Sequence, residues 1–370
     1  MVRFWVNLPH ISKFYPKSTI FMAKIECLIP FLSGLSFFVF SLQPKTKSNL
    51  ILNAMKIIGT GSALPELLVT NDMLAQFLDT DDHWITTRTG IHQRRMISKE
   101  SLKELAVKAA KNALEDASLS AADLDYILCS NVANNYVTPA LSCMIQGEIE
   151  ASCPCLDLNG ACAGFIYALD IAEAFLNSYQ DKNILIVCAE EPTRFVNWNE
   201  RNTSILFGDG AGAVVVTKGT NMKALTLTTT CKVDALYYRR LLEDTPYAAN
   251  AESTEPMVMN GKEVFKLAVS ASVADINKVM TEAHVTSNDV SYFLLHQANI
   301  RIIDAIRENL HQPAEKIPHN IEKYGNTSSA SIPILMDELS RAHKIKSNSL
   351  LVLSAFGAGF CTGACVIEWS

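Results

Sequence analysis

Charge is scarce in this chain. Only 19% of its 370 residues are Asp, Glu, Lys or Arg, and the balance is acidic, with a net charge of −6. A nucleic-acid binder ordinarily carries a basic excess to neutralise phosphates, so that class falls behind. A disordered chain pairs low hydrophobicity with high net charge. Here 49% of residues are hydrophobic, which suits a large packed core. The glycine-rich turn "FGAGF" (356–360) lacks the Lys-Ser/Thr of a phosphate loop. "GTGSALPE" (59–66) lacks the glycine spacing of a dinucleotide fingerprint, and Pro65 stands where that helix would run. Cysteine is not scarce, at ten, but most lie in apolar runs such as "YILCSN" and "ILIVCAEE". In a chain neither small nor loop-rich this indicates a reducing cytoplasm rather than a disulfide framework. Cys153/Cys155 and Cys361/Cys365 have no second Cys/His pair at zinc-like spacing, so no metal is expected.

Residues 1–54 stand apart. "CLIPFLSGLSFFVFSL" (27–42) is an uncharged run after Lys13, Lys17 and Lys24, interrupted by Pro30 and Gly34. It is short for a span, which needs ~20 residues. A signal, an anchor and a segment outside the working protein are the three readings. The strand-and-turn opening "KIIGTGSALPE" directly after Met55 favours Met55 as the natural start, and no membrane partner is expected.

The remainder contains a repeat. "EDASLSAADLDYILCSN" (115–131) and "TEAHVTSNDVSYFLLHQ" (281–297) align without a gap, pairing Asp123 with Asp289, Tyr126 with Tyr292 and Leu128 with Leu294. Each reads as a helix end, a polar turn and a buried strand. "FGDGAGAVVVTK" (207–218) echoes "FGAGFCTGACVIEW" (356–369), both being glycine turns that run into apolar strands. "LKELAVKAAKNALEDA" and "VFKLAVSASVADINKVMTEA" have apolar faces at helical spacing, and "NILIVCAE" and "SLLVLSAF" read as strands covered on both faces. Two related α/β halves are expected, 55–222 and 223–370, with residues 231–258 as an inserted segment or lid. Ser130 aligns with His296, so equivalent strand ends carry different residues and the chemistry is expected at the junction.

Three residues are candidates for that chemistry. Cys162 in "DLNGACAGFIYALD" (157–170) lies where a strand breaks and a helix starts. A helix N-terminus favours thiolate over thiol, and the small neighbours allow close approach. A buried structural cysteine is the alternative. His296 ends the strand "VSYFLL", where an imidazole can donate to an oxyanion or move a proton, or merely terminate the strand. Asn326 in "YGNTSSASIPILMDEL" is either ordinary turn chemistry or a second neutral donor beside His296.

"GACAGF", "LLHQAN" and "YGNTSSAS" in this order resemble the Cys–His–Asn set of β-ketoacyl-acyl carrier protein synthase III. The resemblance runs from Met55 to Ser370 and includes "DTDDHWITTRTGI", "ILFGDGAGA", "NGKEVFK" and "SAFGAGF". It implies a thiolase-like α/β fold, two duplicated halves layered αβαβα, in a homodimer. It implies that Cys162 takes an acyl group from acyl-CoA. His296 and Asn326 would then stabilise the enolate formed when malonyl-acyl carrier protein loses CO₂, and the carbanion would attack the Cys162 thioester. The N–H groups of Cys162 and Ala358 would form the oxyanion hole, with ping-pong kinetics. Trp84 and Arg201 match positions that sandwich the CoA adenine, and Arg88 and Asn299 match the tunnel. Lys266, Arg301 and Arg307 would meet the carrier protein, the alternative being a solvated helix face. No cofactor is implied, since acyl-CoA is a substrate.

The sequence departs from that pattern in places. Thr138 stands where a bulky aromatic often closes the acyl pocket across the dimer. Ala358 replaces a frequent Gly, and Arg201-Asn202-Thr203 replaces Arg-Gly-Thr. A condensing enzyme of secondary metabolism with a longer or unusual acyl donor is therefore the second reading. A non-catalytic partner subunit and a Cys/His hydrolase are remoter ones.

Overall fold

The near-continuous apolar runs become the central strands of two sheets. The computed structural model describes residues 55–178, 183–239 and 256–370. The chain opens with β1 (Met55–Ala63), then a strand pair β2 (Leu67–Thr70) and β3 (Gln93–Met96) enclosing α1 (Asn71–Ala75) and α2 (Asp82–Thr89). There follow α3 (Leu102–Asp116), β4 (Tyr126–Ser130), α4 (Leu141–Glu148), β5 (Cys155–Leu158), α5 (Gly164–Ser178), β6 (Asn183–Glu190), α6 (Arg201–Ser204) and β7 (Gly210–Lys218). The later part contains β8 (Met222–Thr229), β9 (Leu236–Tyr237), β10 (Val258–Met259), α7 (Gly261–Glu282), β11 (Tyr292–Leu295), α8 (Ile300–Asn309) and α9 (Ile321–Tyr324). It closes with α10 (Ser331–Arg341), β12 (Leu350–Gly357) and β13 (Cys361–Glu368).

The repeat has a structural counterpart. One sheet runs β1-β7-β6-β4-β5 and the other β8-β13-β12-β11. In each, the first three strands run antiparallel to their neighbours and the next pair, β6/β4 or β12/β11, is parallel. Even the turns before β4 and β11 match. Asp123 accepts from the Ser120 N–H at 2.8 Å, and Asp289 accepts from the Thr286 N–H at 2.8 Å.

Alternation along the strands sorts side chains into layers. Leu128, Ile184 and Ile186 face a central core with Leu294, Leu351 and Leu353 of the other sheet, filled by α5 and α10. Their neighbours Ile127, Cys129, Leu185 and Val187 turn outward under α3 and α4. On the second sheet Phe293, Leu295 and Val352 turn outward under α7 and α8. The result is α/β/α/β/α, as the resemblance implies. α3 starts with a capping box: Glu104 N–H donates to Ser101 Oγ at 3.2 Å, and Ser101 N–H donates to Glu104 Oε2 at 2.7 Å.

One expectation needs adjustment, and two fall partly or wholly outside the described residues. "FGAGF" is only partly a turn, because Phe356 and Gly357 still pair within β12 and the chain reverses over 358–360. Of the expected lid at 231–258, only the ends are described, and β9 pairs antiparallel with β10 there. The run at 27–42 lies outside the described residues, among which no helix is long and apolar enough to cross a membrane.

Candidate active site

Three interruptions of regular structure deliver the candidate residues to one cavity of about 900 Å³, lined by Cys162, His296 and Asn326. Cys162 sits in a 3₁₀ turn, Ala161–Ala163, which runs into α5. Ala161 holds φ 47°, the left-handed region that a residue with a Cβ avoids. Across from this turn the backbone of Gly357 approaches closely. A Cβ placed there would lie 2.6 Å from the Cys162 nitrogen. Only glycine permits that contact.

His296 follows β11 directly and is 2% exposed. Its Nδ1 meets Ser331 Oγ at 2.7 Å, and the same oxygen accepts the Gln297 N–H at 3.3 Å. Gln297 is itself pinned, donating to Leu295 O and accepting from Asn320 N–H. Phe356 packs edge-on to the imidazole at 5.2 Å. The Nε2 atom is buried and has no hydrogen-bond partner among the described residues. Burial pushes the histidine pKa down to about 3, so the ring is neutral.

Asn326 is held by backbone from both sides. Its N–H donates to Leu206 O at 2.9 Å, and its C=O accepts from Gly208 N–H at 3.1 Å. Its Oδ1 accepts the Ser328 N–H at 2.8 Å, which leaves the amide NH₂ as its remaining donor. Arg94, fully buried, fixes the facing segment by donating to Ile205 O and to Asn71 Oδ1, each at 2.8 Å.

The expectation of a thiolate is corrected. Cys162 keeps some contact with the cavity, yet burial pushes its pKa up to about 12, more than the neighbouring Ser328 hydroxyl lowers it. Protein around the sulfur outweighs the short turn behind it. Ser328 Oγ lies 3.3 Å from the sulfur and 3.2 Å from Glu190 Oε1. Glu190 is buried at the end of β6 and also accepts from Ser329 Oγ at 2.6 Å and Val132 N–H at 3.3 Å. Ser328, Ser331, Glu190 and Arg94 were not singled out from the sequence. The serines of "YGNTSSAS" were the available signal.

The peripheral residues divide. Arg88, Asn299 and Arg301 line the cavity, with Lys262 and Asn202. The Asn299 side chain is already engaged, accepting from Arg301 N–H at 2.9 Å and donating to Arg88 O at 3.2 Å. Arg201 stacks directly on Trp84, its guanidinium 4.4 Å from the ring centroid, with Arg88 at 5.7 Å. A sandwiched flat ring needs roughly 7 Å between its partners. The Arg201 guanidinium therefore has to move before anything enters between them. Lys266 is exposed and lies outside the cavity lining. Arg307 also lies outside it, paired with Asp304 at 3.3 Å and Glu308 at 3.6 Å, so its charge is locally compensated. Thr138 is exposed and lines no part of the cavity within one chain, and its expected place is at a pocket closed by a second copy of the chain. Ala358 follows Gly357 in the reversal but is not itself in the lining.

Comparison with known proteins gives a consistent result. Residues 280–369 match the model for the 3-oxoacyl-[acyl-carrier-protein] synthase III C-terminal region, and residues 156–235 match the 3-oxoacyl-[acyl-carrier-protein] synthase III model. The chain is 41% identical over 315 residues to beta-ketoacyl-[acyl-carrier-protein] synthase III of Aquifex aeolicus, covering 85% of this chain and 99% of that one. The crystal structure of 3-oxoacyl-[acyl-carrier-protein] synthase III from that organism superposes with a TM-score of 0.80, covering 85% of this chain and all of that one. The priming β-ketosynthase of the R1128 polyketide biosynthetic pathway is 31% identical with a TM-score of 0.79, covering 86% of this chain and 96% of that one.

Proposed function

The chain belongs to the β-ketoacyl-acyl carrier protein synthase III family of condensing acyltransferases, and from that premise we propose how its own residues run the reaction. Cys162 attacks an acyl-CoA and holds the acyl group as a thioester, releasing CoA. Malonyl-acyl carrier protein then enters and loses CO₂. Negative charge develops on its thioester oxygen, and His296 and Asn326 donate to it. Ser331 Oγ accepts from Gln297 N–H, so its own hydroxyl hydrogen can serve His296 Nδ1. That assignment leaves the ring proton on Nε2, the unpartnered atom. The carbanion attacks the Cys162 thioester, and β-ketoacyl-acyl carrier protein leaves. The N–H groups of Cys162 and Ala358 stabilise the tetrahedral oxyanion.

The observation that carries this reading is the meeting of Cys162, His296 and Asn326 on one cavity. A thiol alone is common, but a thiol facing two neutral donors suits enolate chemistry. The mouth carries Arg88, Lys262 and Arg301, a cationic lining that complements the phosphates of CoA or of a carrier protein's pantetheine arm. Trp84 and Arg201 take the adenine once the guanidinium swings aside, and Asn299 shapes the tunnel by holding Arg88. Lys266 joins Arg301 in carrier-protein docking, while Arg307 is a weaker candidate because its charge is compensated. The reading calls for no cofactor. It places the protein in the cytoplasm as a homodimer of two-part chains, 55–222 and 223–370.

A second reading, a condensing enzyme for a longer or unusual donor, is supported by the similarity to the polyketide priming enzyme. Intact-mass measurement with acyl-CoAs of two to ten carbons separates the two. Acetyl loading that is absent in Cys162→Ala and discharged by malonyl-acyl carrier protein supports the main reading. Loading by long chains only supports the second. No loading by any of them overturns the acyl-enzyme.

A further inference from the structure

A buried carboxylate sits one hydroxyl away from the nucleophile, and the steps above do not use it. Glu190 Oε1, Ser328 Oγ and Cys162 Sγ form a continuous chain, with separations of 3.2 and 3.3 Å. Ser328 is held for this contact at φ 53°, a left-handed conformation unusual for serine. Glu190 is 0% exposed and forms no ion pair among the described residues. It is held by Ser329 Oγ, itself hydrogen-bonded to Ser130 Oγ, and by the Val132 N–H. The titratable groups that feel its charge are thiols: Cys162 before α5, Cys188 on its own strand and Cys129 on β4.

We propose that Glu190, acting through Ser328, takes the Cys162 proton during acyl loading and returns it after condensation. As the sulfur attacks the acyl carbon, the S–H proton passes to Ser328 Oγ while the Ser328 hydroxyl proton passes to Glu190. The S–C bond forms, the acyl–CoA bond breaks, and CoA departs as a thiolate that solvent protonates. The proton stays on Glu190 while the acyl group occupies Cys162. When the carbanion attacks, the S–C bond breaks and Cys162 leaves as thiolate. The same chain then returns the proton, restoring the thiol and the carboxylate. No other donor or acceptor is needed, and the charge lost with the malonyl carboxylate reappears on the CoA sulfur. Burial pushes Glu190 up to about 7, which matches a proton holder working near neutrality.

The inference rests on the acyl-loading role of Cys162, so its test includes a readout independent of acyl-CoA. Alkylation of Cys162 by iodoacetamide and acyl loading are both followed against pH by intact mass, in wild type, Glu190→Gln and Ser328→Ala. The relay makes both variants slower in both reactions, by about 10²-fold, and removes the inflection near neutral pH. A merely structural or repulsive Glu190 predicts the opposite sign. Removing a negative charge beside the sulfur would favour the thiolate and speed alkylation. Faster or unchanged alkylation with the wild-type pH profile in Glu190→Gln overturns the relay. Should that variant not fold, Ser328→Ala decides alone, since Glu190 keeps its Ser329 and Val132 contacts, and wild-type behaviour there overturns the relay equally. If wild type alkylates but accepts no acyl-CoA, the acyl-enzyme reading fails and the alkylation profiles still judge the relay.

Discussion

Gly357→Ala tests whether the Cys162 turn is placed by the close approach of β12. The added methyl would lie 2.6 Å from the Cys162 nitrogen, 3.0 Å from Ala161 Cβ and 3.1 Å from the Ala163 nitrogen. The first contact is about 0.8 Å short of ordinary van der Waals distance. All three obstacles belong to the turn, two of them backbone, so no flexible side chain can move out of the way. Gly357 pairs with Cys361 inside the sheet, which limits movement on its own side. The strain falls on the turn, at a cost of about 1–3 kcal/mol, or roughly 2–8 °C in Tm. Displacing the sulfur and its N–H by most of an ångström lowers acyl loading on the order of 10- to 100-fold. The assay is the loading rate by intact mass beside a thermal melt, with Ala358→Gly as the neighbouring control expected to load normally. Wild-type loading and Tm in Gly357→Ala would show that the turn is not positioned by this contact.

Other perturbations probe separate supports. Ser331→Ala removes the partner of His296 Nδ1 and is expected to slow malonyl-dependent discharge roughly tenfold while leaving acyl loading unchanged. Equal effects on both half-reactions would refute the assigned division of labour. Arg94→Met leaves Ile205 O and Asn71 Oδ1 without their donor and is expected to cost about 2–4 kcal/mol in urea unfolding. A cost below about 1 kcal/mol would mean that Arg94 does not hold the segment facing Asn326. Glu190 has a folded pKa raised from 4.5 to about 7. Its contribution is therefore complete below pH 4.5 and is lost as pH rises through 7, on the order of 3 kcal/mol. His296 has the opposite sign, its contribution being complete above pH 6.5 and lost as pH falls toward 3. Stability of Glu190→Gln should consequently fall less than wild type between pH 5 and 8, and parallel curves would contradict the buried-acid assignment.

How much of the site was legible can be judged residue by residue. Cys162, His296 and Asn326 each stand at the end of an element, where a short quotation shows the break in periodicity. The repeat put Ser130 and His296 at equivalent strand ends, and both are buried, Ser130 against Ser329 and His296 against Ser331. The part assigned to Thr138 was not legible from one chain, because its expected neighbour belongs to a second chain, which one chain's sequence cannot position. The compensation of Arg307 by Asp304 and Glu308 was not legible either, because it depends on side-chain direction along α8.

The sequence by itself determined the alternation of strands and helices, the duplication and the residue types at the strand ends. Those follow from local periodicity and turn chemistry, which act over a few residues. The protonation states and the contacts around the sulfur were decided only by tertiary structure. Ser328 reaches Cys162 across 166 positions and Glu190 across 138. A thiol expected to ionise at a helix start is instead held neutral by burial. Desolvation depends on every atom packed around a group, and those atoms come from segments the local sequence does not name.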